Sequence, residues 1–305
     1  MTTVDVEPEF RRRERCISCG SSNLTPVWQS TYRDPLFREN IGPDFYSVDV
    51  PALLAGHRFV RVRCDACSQS FHQYVLTDDW LARLYTEWID EAQIARFKAA
   101  HPVDPFDRAR QWTKHALRLG ALLGGNGRDG RAPRLVDYGC GEGEFLEVAR
   151  PFGFECIGVD IGTSRPRHDG DPITIVPTLD TLDTLAPGSI DAATLFQTLE
   201  HLAEPLEVLR QLNARMRDGA VLVVEVPDCS GIEVPRTEVE FHAVDPIEHI
   251  NHFTPATLTA MCRRAGFEPC RRIPAHVTHR LIDVVKTELS RFRRPSTSRY
   301  FRKVG

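Results

Sequence analysis

No stretch of this 305-residue chain stays apolar for the roughly 20 residues a helix needs to cross a bilayer. The opening residues, Met1-Thr2-Thr3-Val4-Asp5-Val6-Glu7, are polar and acidic and lack the apolar core of a secretory signal. Neither sign of charge dominates. Lys and Arg number 38 against 42 Asp and Glu, a net charge of −4, too little to drive general binding to nucleic acid or anionic lipid. Internal repeats and low-complexity tracts are missing too. The nine cysteines are odd in number and mostly scattered, which excludes a dense disulfide framework. These absences set the expectation of a soluble, cytoplasmic protein with reduced thiols and with no membrane or nucleic-acid partner. What is present is 42% hydrophobic residues, enough for a sizeable core, and a length that suits one large or two modest domains.

The most informative stretch is Leu135-Val136-Asp137-Tyr138-Gly139-Cys140-Gly141-Glu142-Gly143-Glu144. A short apolar run, a glycine turn and a helical segment from Glu144 to Arg150 read as the start of a Rossmann-like unit. Glycines there let the backbone approach a ligand closely. The third glycine comes one place too early for the dinucleotide spacing G-x-G-x-x-G, and Asp137, Glu142 and Glu144 surround the turn with carboxylates. That is a poor seat for a pyrophosphate and a fair one for a cation. A second strand, Glu155 to Val159, ends in Asp160, a carboxylate suited to a ribose diol. An adenosine without phosphates, carried by a cationic group, points to S-adenosylmethionine (SAM).

Four segments then resemble, in order, the signatures of class I SAM-dependent methyltransferases. Val136 to Gly143 resembles D-x-G-C-G-x-G, and Leu199-Glu200-His201-Leu202 with Pro205 resembles their LEH segment. Arg217 to Pro227 is similar to L-x-P-G-G-x-L-x-I-x-x-P, and His249 to Phe267 to H-x-x-x-F-T-P-x-x-L…A-G-F. The resemblance implies an α/β fold with a Rossmann-like seven-stranded methyltransferase sheet. It implies SAM as cofactor, held by Asp137, Gly139, Cys140, Gly141, Asp160, Ile161, Asp180 and Gln197.

Two C-x-x-C pairs, Cys16 with Cys19 and Cys64 with Cys67, stand ahead of this core. Four thiolates suit a tetrahedral, structural Zn²⁺ with no open position; disulfide use and unrelated free cysteines are the alternatives. Arg58-Phe59-Val60-Arg61-Val62-Arg63 reads as a half-exposed strand leading into the second pair. Val62-Arg63-Cys64, Cys67 and Leu81-Ala82-Arg83-Leu84-Tyr85 resemble the zinc-ribbon segment of a group of bacterial methyltransferases, which usually has Gly where this chain has Ser68. A single helix is expected from Trp80 to about Ala99, and a second from Phe106 to Leu123. The expected division is a zinc-ribbon-like domain with a helical extension over 1–103 and a methyltransferase domain over 104–305.

Transfer from a sulfonium needs positioned partners and, for a hydroxyl or carbon acid, a base. Histidine suits that task. The candidates are His249, then His252, with His201 lining the pocket. In related O-methyltransferases E-x-x-E-H binds a divalent metal; here the first acid is Gln197, which weakens such a site. Deoxysugar C-methyltransferases carry Y-H-E-H where this chain has Pro246-Ile247-Glu248-His249. The resemblance therefore implies methylation of a small molecule, such as a sugar, a nucleotide-linked sugar or a natural-product intermediate, with O-methylation favoured. An RNA methyltransferase and a non-catalytic scaffold are the competing readings. A homodimer is a further expectation. The basic tail, with a helix expected from Leu281 to Phe292, reads as a solvated end.

Overall fold

The computed structural model describes residues 7–41, 46–89, 91–100, 102, 104–124, 130–162, 173–177, 185–271, 275 and 298–305. The expected division was linear in sequence, but the compact units are not. One comprises Met1–Pro102, Glu200–Pro205 and Pro227–Thr257; the other comprises Val103–Leu199, Leu206–Val226 and Leu258–Gly305.

In the first unit, β1 (Phe10–Arg12) pairs antiparallel with β5 (Tyr74–Leu76). A four-stranded sheet is built from β2 (Leu24–Thr31), β3 (Arg58–Cys64), β4 (Ser70–His72) and β11 (Asn251–His252), in the order β11-β4-β3-β2. The late strand β11 adds to β4 with Asn251 opposite Phe71 and His252 opposite Ser70. Helices α1 (Pro35–Asn40) and α2 (Val50–Leu53) follow β2, each with proline in its first turn and an aspartate cap, Asp34 or Asp49, accepting a backbone N–H. Their core gathers Trp28, Tyr32, Phe37, Phe59, Trp80, Trp88 and Phe241.

Two expectations fail here. Arg61 is not on a solvent face: it is 3% exposed, because its guanidinium reaches the carbonyls of Ile232 and Glu233 at 2.6 and 3.0 Å. The helix expected over Trp80–Ala99 is also broken. It divides into α3 (Asp78–Arg83), a π-helical turn over Leu84–Trp88 and α4 (Glu91–Ala100). The widened turn lets Leu84 and Trp88 both reach the core.

In the second unit, α5 (Pro105–Leu123) starts on an Asp104 cap and ends on left-handed Gly124. The sheet contains β6 (Arg134–Tyr138), β7 (Glu155–Val159), β8 (Thr174–Val176), β9 (Ile190–Phe196), β10 (Met216–Glu225), β12 (Phe267–Pro269) and β13 (Arg299–Lys303). Its order is β12-β13-β10-β9-β6-β7-β8. Strands β6 to β10 are parallel, and β13 lies antiparallel to both β10 and β12. The seven-stranded sheet expected from the sequence is therefore present. Parallel strands covered on both faces read as unbroken apolar runs, and six of the seven residues of β9 are buried. Asp191, fully buried on β9, accepts from Arg134 N, Arg217 Nε and Arg131 Nη2 at 2.7–2.8 Å. Burial opposes its ionisation, but these donors prevail and hold the carboxyl below its usual range.

The strand order reverses at β6, so the loops after β6 and β9 flank the crevice where open α/β sheets take ligands. The loop after β6 turns into α6 (Glu144–Ala149). Among the described residues no helix is long and apolar enough to cross a membrane.

Ser68, just past the second cysteine pair, has φ +62°. A left-handed non-glycine residue is strained, and the zinc-ribbon resemblance has glycine there. Ser68→Gly should stabilise the protein by about 0.5 to 1 kcal/mol, read as a higher urea midpoint with an unchanged slope.

Candidate functional site

In the second unit, the turn after β6 is set by three left-handed glycines: Gly139 (φ +75°), Gly141 (+52°) and Gly143 (+80°). A Cβ on Gly139 would collide with the Thr198 side chain, so this position is closed to any other residue. Gly139 N and Cys140 N both donate to Val159 O, at 2.7 and 3.2 Å, which ties the turn to the end of β7. Asp160 completes the tie. Its Oδ2 accepts from Gly141 N at 2.7 Å and its Oδ1 from Gly162 N at 2.9 Å. Each oxygen keeps a lone pair for a ligand hydroxyl. Ile161 beside it is 52% exposed, an apolar surface suited to a flat ring.

Asp137 is buried under the turn, with Thr194 Oγ1 donating to its Oδ1 at 2.6 Å. Burial, reinforced by the charge of Asp160, pushes its carboxyl up to about 7. Gln197 follows β9 with φ +51°, its N–H donating to Glu225 O at 2.8 Å. A strained, exposed residue at that strand end is the kind of outlier that marks ligand sites. The cradle fits the adenosine of SAM: the glycine path that no Cβ could follow, a ribose-type carboxylate and an exposed apolar neighbour. Asp180 lies outside the described residues.

In the first unit, Glu200, His201 and His249 come together. One donor atom of each lies within 4.8 Å of the others, so a divalent cation would find three ligands. His201 Nδ1 is 3.0 Å from Tyr85 Oη, and its Nε2 is 4.0 Å from Glu200 Oε1. The His201 and His249 rings cross at 78° with centroids 4.7 Å apart. Asn251 fixes the segment: its N–H donates to Glu200 O at 2.9 Å and its Nδ2 to Leu202 O at 2.7 Å, while Arg13 Nη1 donates to its Oδ1 at 2.7 Å. Burial, helped by the charge of His242, brings His249 down to about 4. Burial keeps His201 well below its ordinary value as well.

His252 is placed differently. Arg61 Nε donates to its Nδ1 at 3.2 Å, and its ring packs edge-on against His72 at 4.7 Å. The Nδ1 lone pair is thereby used, so the proton of the neutral ring is on Nε2. His72 is fully buried with Nε2 on Val244 O at 2.9 Å.

Three contributors escaped the sequence reading. Tyr46 Oη donates to Glu248 Oε1 at 2.6 Å, and burial with the neighbouring Asp245 charge raises Glu248 to about 7. Tyr85 is the third. Residues 202 and 116 positions apart form these contacts; the signals were the Glu248-His249 pair and the tyrosine of the ribbon-type L-x-x-L-Y pattern.

The four cysteines also gather. Cys16 Sγ lies 3.5 Å from Cys67 Sγ, and Cys19 Sγ lies 3.5 Å from Cys64 Sγ. Tetrahedral Zn–S bonds of about 2.3 Å set sulfur separations near ~3.8 Å. Ser18 N also points to Cys16 Sγ at 3.4 Å. The donor set fits zinc, and all four thiols are free of disulfides.

A family profile described as "Methyltransferase domain" matches residues 106–271. The chain is 27% identical over 154 residues to the ubiquinone biosynthesis O-methyltransferase of Cupriavidus pinatubonensis, covering 48% of this chain and 56% of that protein. The enzyme of the same name from Xanthomonas campestris pv. campestris strain B100 is 27% identical over 97 residues, 29% of this chain and 41% of that one. The chain thus spans about half the length of the curated relatives it matches. Among solved structures it is similar to 1,6-didemethyltoxoflavin-N1-methyltransferase of Burkholderia thailandensis, at 16% identity and TM-score 0.47 over 81% of this chain and 96% of that one. The profile match covers more than half of the 305 residues, and the chain belongs to the methyltransferase-domain family of class I methyltransferases.

Proposed function

We propose that the protein transfers the methyl group of SAM to a hydroxyl of a small molecule, with a histidine as base. The observation that carries the cofactor is the Gly139–Gly143 turn latched by Asp160, within the span matched by the methyltransferase profile. When bound, SAM supplies an already activated methyl group. The chain then has to orient the acceptor and take up its proton. The Asp160 carboxylate beside the turn favours a cationic cofactor over a phosphate-bearing one.

Among the three histidine candidates, His249 is the best base. His252 gives its Nδ1 lone pair to Arg61, and His201 is engaged by Tyr85. His249 Nδ1 is buried and hydrogen-bonds to nothing among the described residues. Burial keeps the ring unprotonated at neutral pH, the form that accepts a proton. The O-methyltransferase names of the sequence relatives favour oxygen as the acceptor.

The test is methyl-labelled SAM with a panel of hydroxylated sugars, nucleotide sugars and phenols. Label should enter a hydroxyl, and His249→Asn should lower kcat by about 10²- to 10³-fold while SAM affinity stays at the wild-type value. Label in RNA and in none of the small acceptors would overturn the reading.

We further propose a structural Zn²⁺ on Cys16, Cys19, Cys64 and Cys67. Metal analysis of purified protein should give about one zinc per chain, and Cys64→Ser should lose it and destabilise the protein. Full-length wild type that folds without zinc would contradict this.

A further inference from the structure

Arg11 and Arg13 lie on one extended run in the first unit. Phe10–Arg12 is β1, and Arg13 N continues its ladder by donating to Gln73 O at 2.7 Å. Side chains alternate along a strand, so residues 11 and 13 share a face. Arg13 is 6% exposed. Its Nη1 donates to Asn251 Oδ1 at 2.7 Å and to Ile250 O at 3.5 Å, and its guanidinium lies 5.9 Å from the centre of the Phe71 ring. Its hydrogen-bond partners are thus neutral, an amide and a carbonyl. Its Nε and Nη2 are buried and hydrogen-bond to nothing among the described residues. Those two nitrogens form one edge of the guanidinium, whose parallel N–H groups match the paired oxygens of a carboxylate or a phosphate. Arg11 repeats the pattern. Its Nη1 donates to Glu204 Oε1 at 3.0 Å, while its Nε and Nη2 make no hydrogen bond among the described residues, and Nη2 is 4.0 Å from Asp78 Oδ1.

We propose that Arg13, with Arg11 on the same face, forms a binding site for the carboxylate or phosphate group of a small molecule. A buried guanidinium with neutral partners carries an uncompensated charge, which an anion on its remaining edge would offset. Burial and the charge of Arg11, opposed by Glu204, bring the Arg13 guanidinium down to about 9, so it stays charged at neutral pH. Glu204 and Asp78 are exposed, and water screens their charges. Asn251, which accepts from Arg13, also holds the carbonyls of Glu200 and Leu202. One residue therefore ties the anion site to the segment that carries His201. On the functional reading above, the methyl acceptor is an anionic small molecule. That extension rests on the functional reading, and the anion site itself does not.

The experiment follows the Arg13 Nε–H signal by proton–nitrogen NMR of the full-length protein without SAM, assigned through its contact with the Phe71 ring. Sodium phosphate and sodium acetate are titrated separately, with sodium chloride at equal ionic strength as the reference. Phosphate or acetate should move the signal to a plateau that chloride does not produce, and the tighter binder names the group. Arg13→Lys keeps a charge but loses the fork. It should weaken binding by about tenfold or more, read as lost protection by the same anion against thermal unfolding. A signal that stays still, a signal that moves equally in chloride, or protection unchanged in Arg13→Lys would overturn the proposal. If the variant fails to fold, the wild-type signal decides. SAM titration of the same samples keeps the two readings apart. Wild type that binds the anion and no SAM would keep the site and remove the functional reading; wild type that binds SAM and neither anion would do the reverse.

Discussion

The hydrogen bond from Gly141 N to the Asp160 carboxylate joins the ends of β6 and β7. Without it the glycine turn would be a loose loop, since three alternate left-handed glycines add freedom as well as reach. With it, and with Gly139 and Cys140 both bonded to Val159 O, the turn has one shape. That shape opens at the switch point of the sheet, where the strand order reverses. The same carboxylate that fixes the turn keeps lone pairs for a ribose. Its charge also helps hold Asp137 near neutrality. Scaffold and ligand chemistry therefore meet in one side chain.

The first unit follows a similar economy. The second cysteine pair closes on itself when Cys64 N donates to Gln69 O at 2.9 Å. The Gln69 side chain then bonds His252 O at 2.8 Å, and His72 N bonds Ile250 O at 2.9 Å. Asn251 in turn holds Glu200 and Leu202. A continuous hydrogen-bonded path thus runs from the thiol cluster to the histidines. Ordering the thiols orders β11, the strand that begins two residues after the candidate base His249. Its polar groups are buried deeply enough that neutral imidazoles and a protonation-prone Glu248 replace ion pairs, because isolated charges there would cost too much.

Local chemistry was legible in the sequence. The glycine spacing, the acid ending β7 and the two cysteine pairs each depend on residues a few places apart. The parallel strands announced themselves as apolar runs, and Thr254 caps the following helix by accepting from Thr257 N at 3.2 Å. Contacts set by distant chain were not legible. Arg61 has the alternation of a surface arginine, and only carbonyls 171 and 172 residues away draw it inside. The π turn at Leu84–Trp88 answers to core packing rather than to helix propensity, and β11 is two residues long, too short for any periodic signal. Tyr46 and Tyr85 look like ordinary amphipathic residues until their partners are in place.

The central claim is that the latched turn is a SAM cradle, and calorimetric titration of SAM into wild type and Gly139→Ala tests it most directly. The added methyl would meet Thr198 and force the turn out of shape. The account predicts about micromolar binding to wild type and a loss of tenfold or more, about 1.4 kcal/mol, in the variant. Well-folded wild type that binds no SAM, or a variant that binds it equally well, would contradict the account.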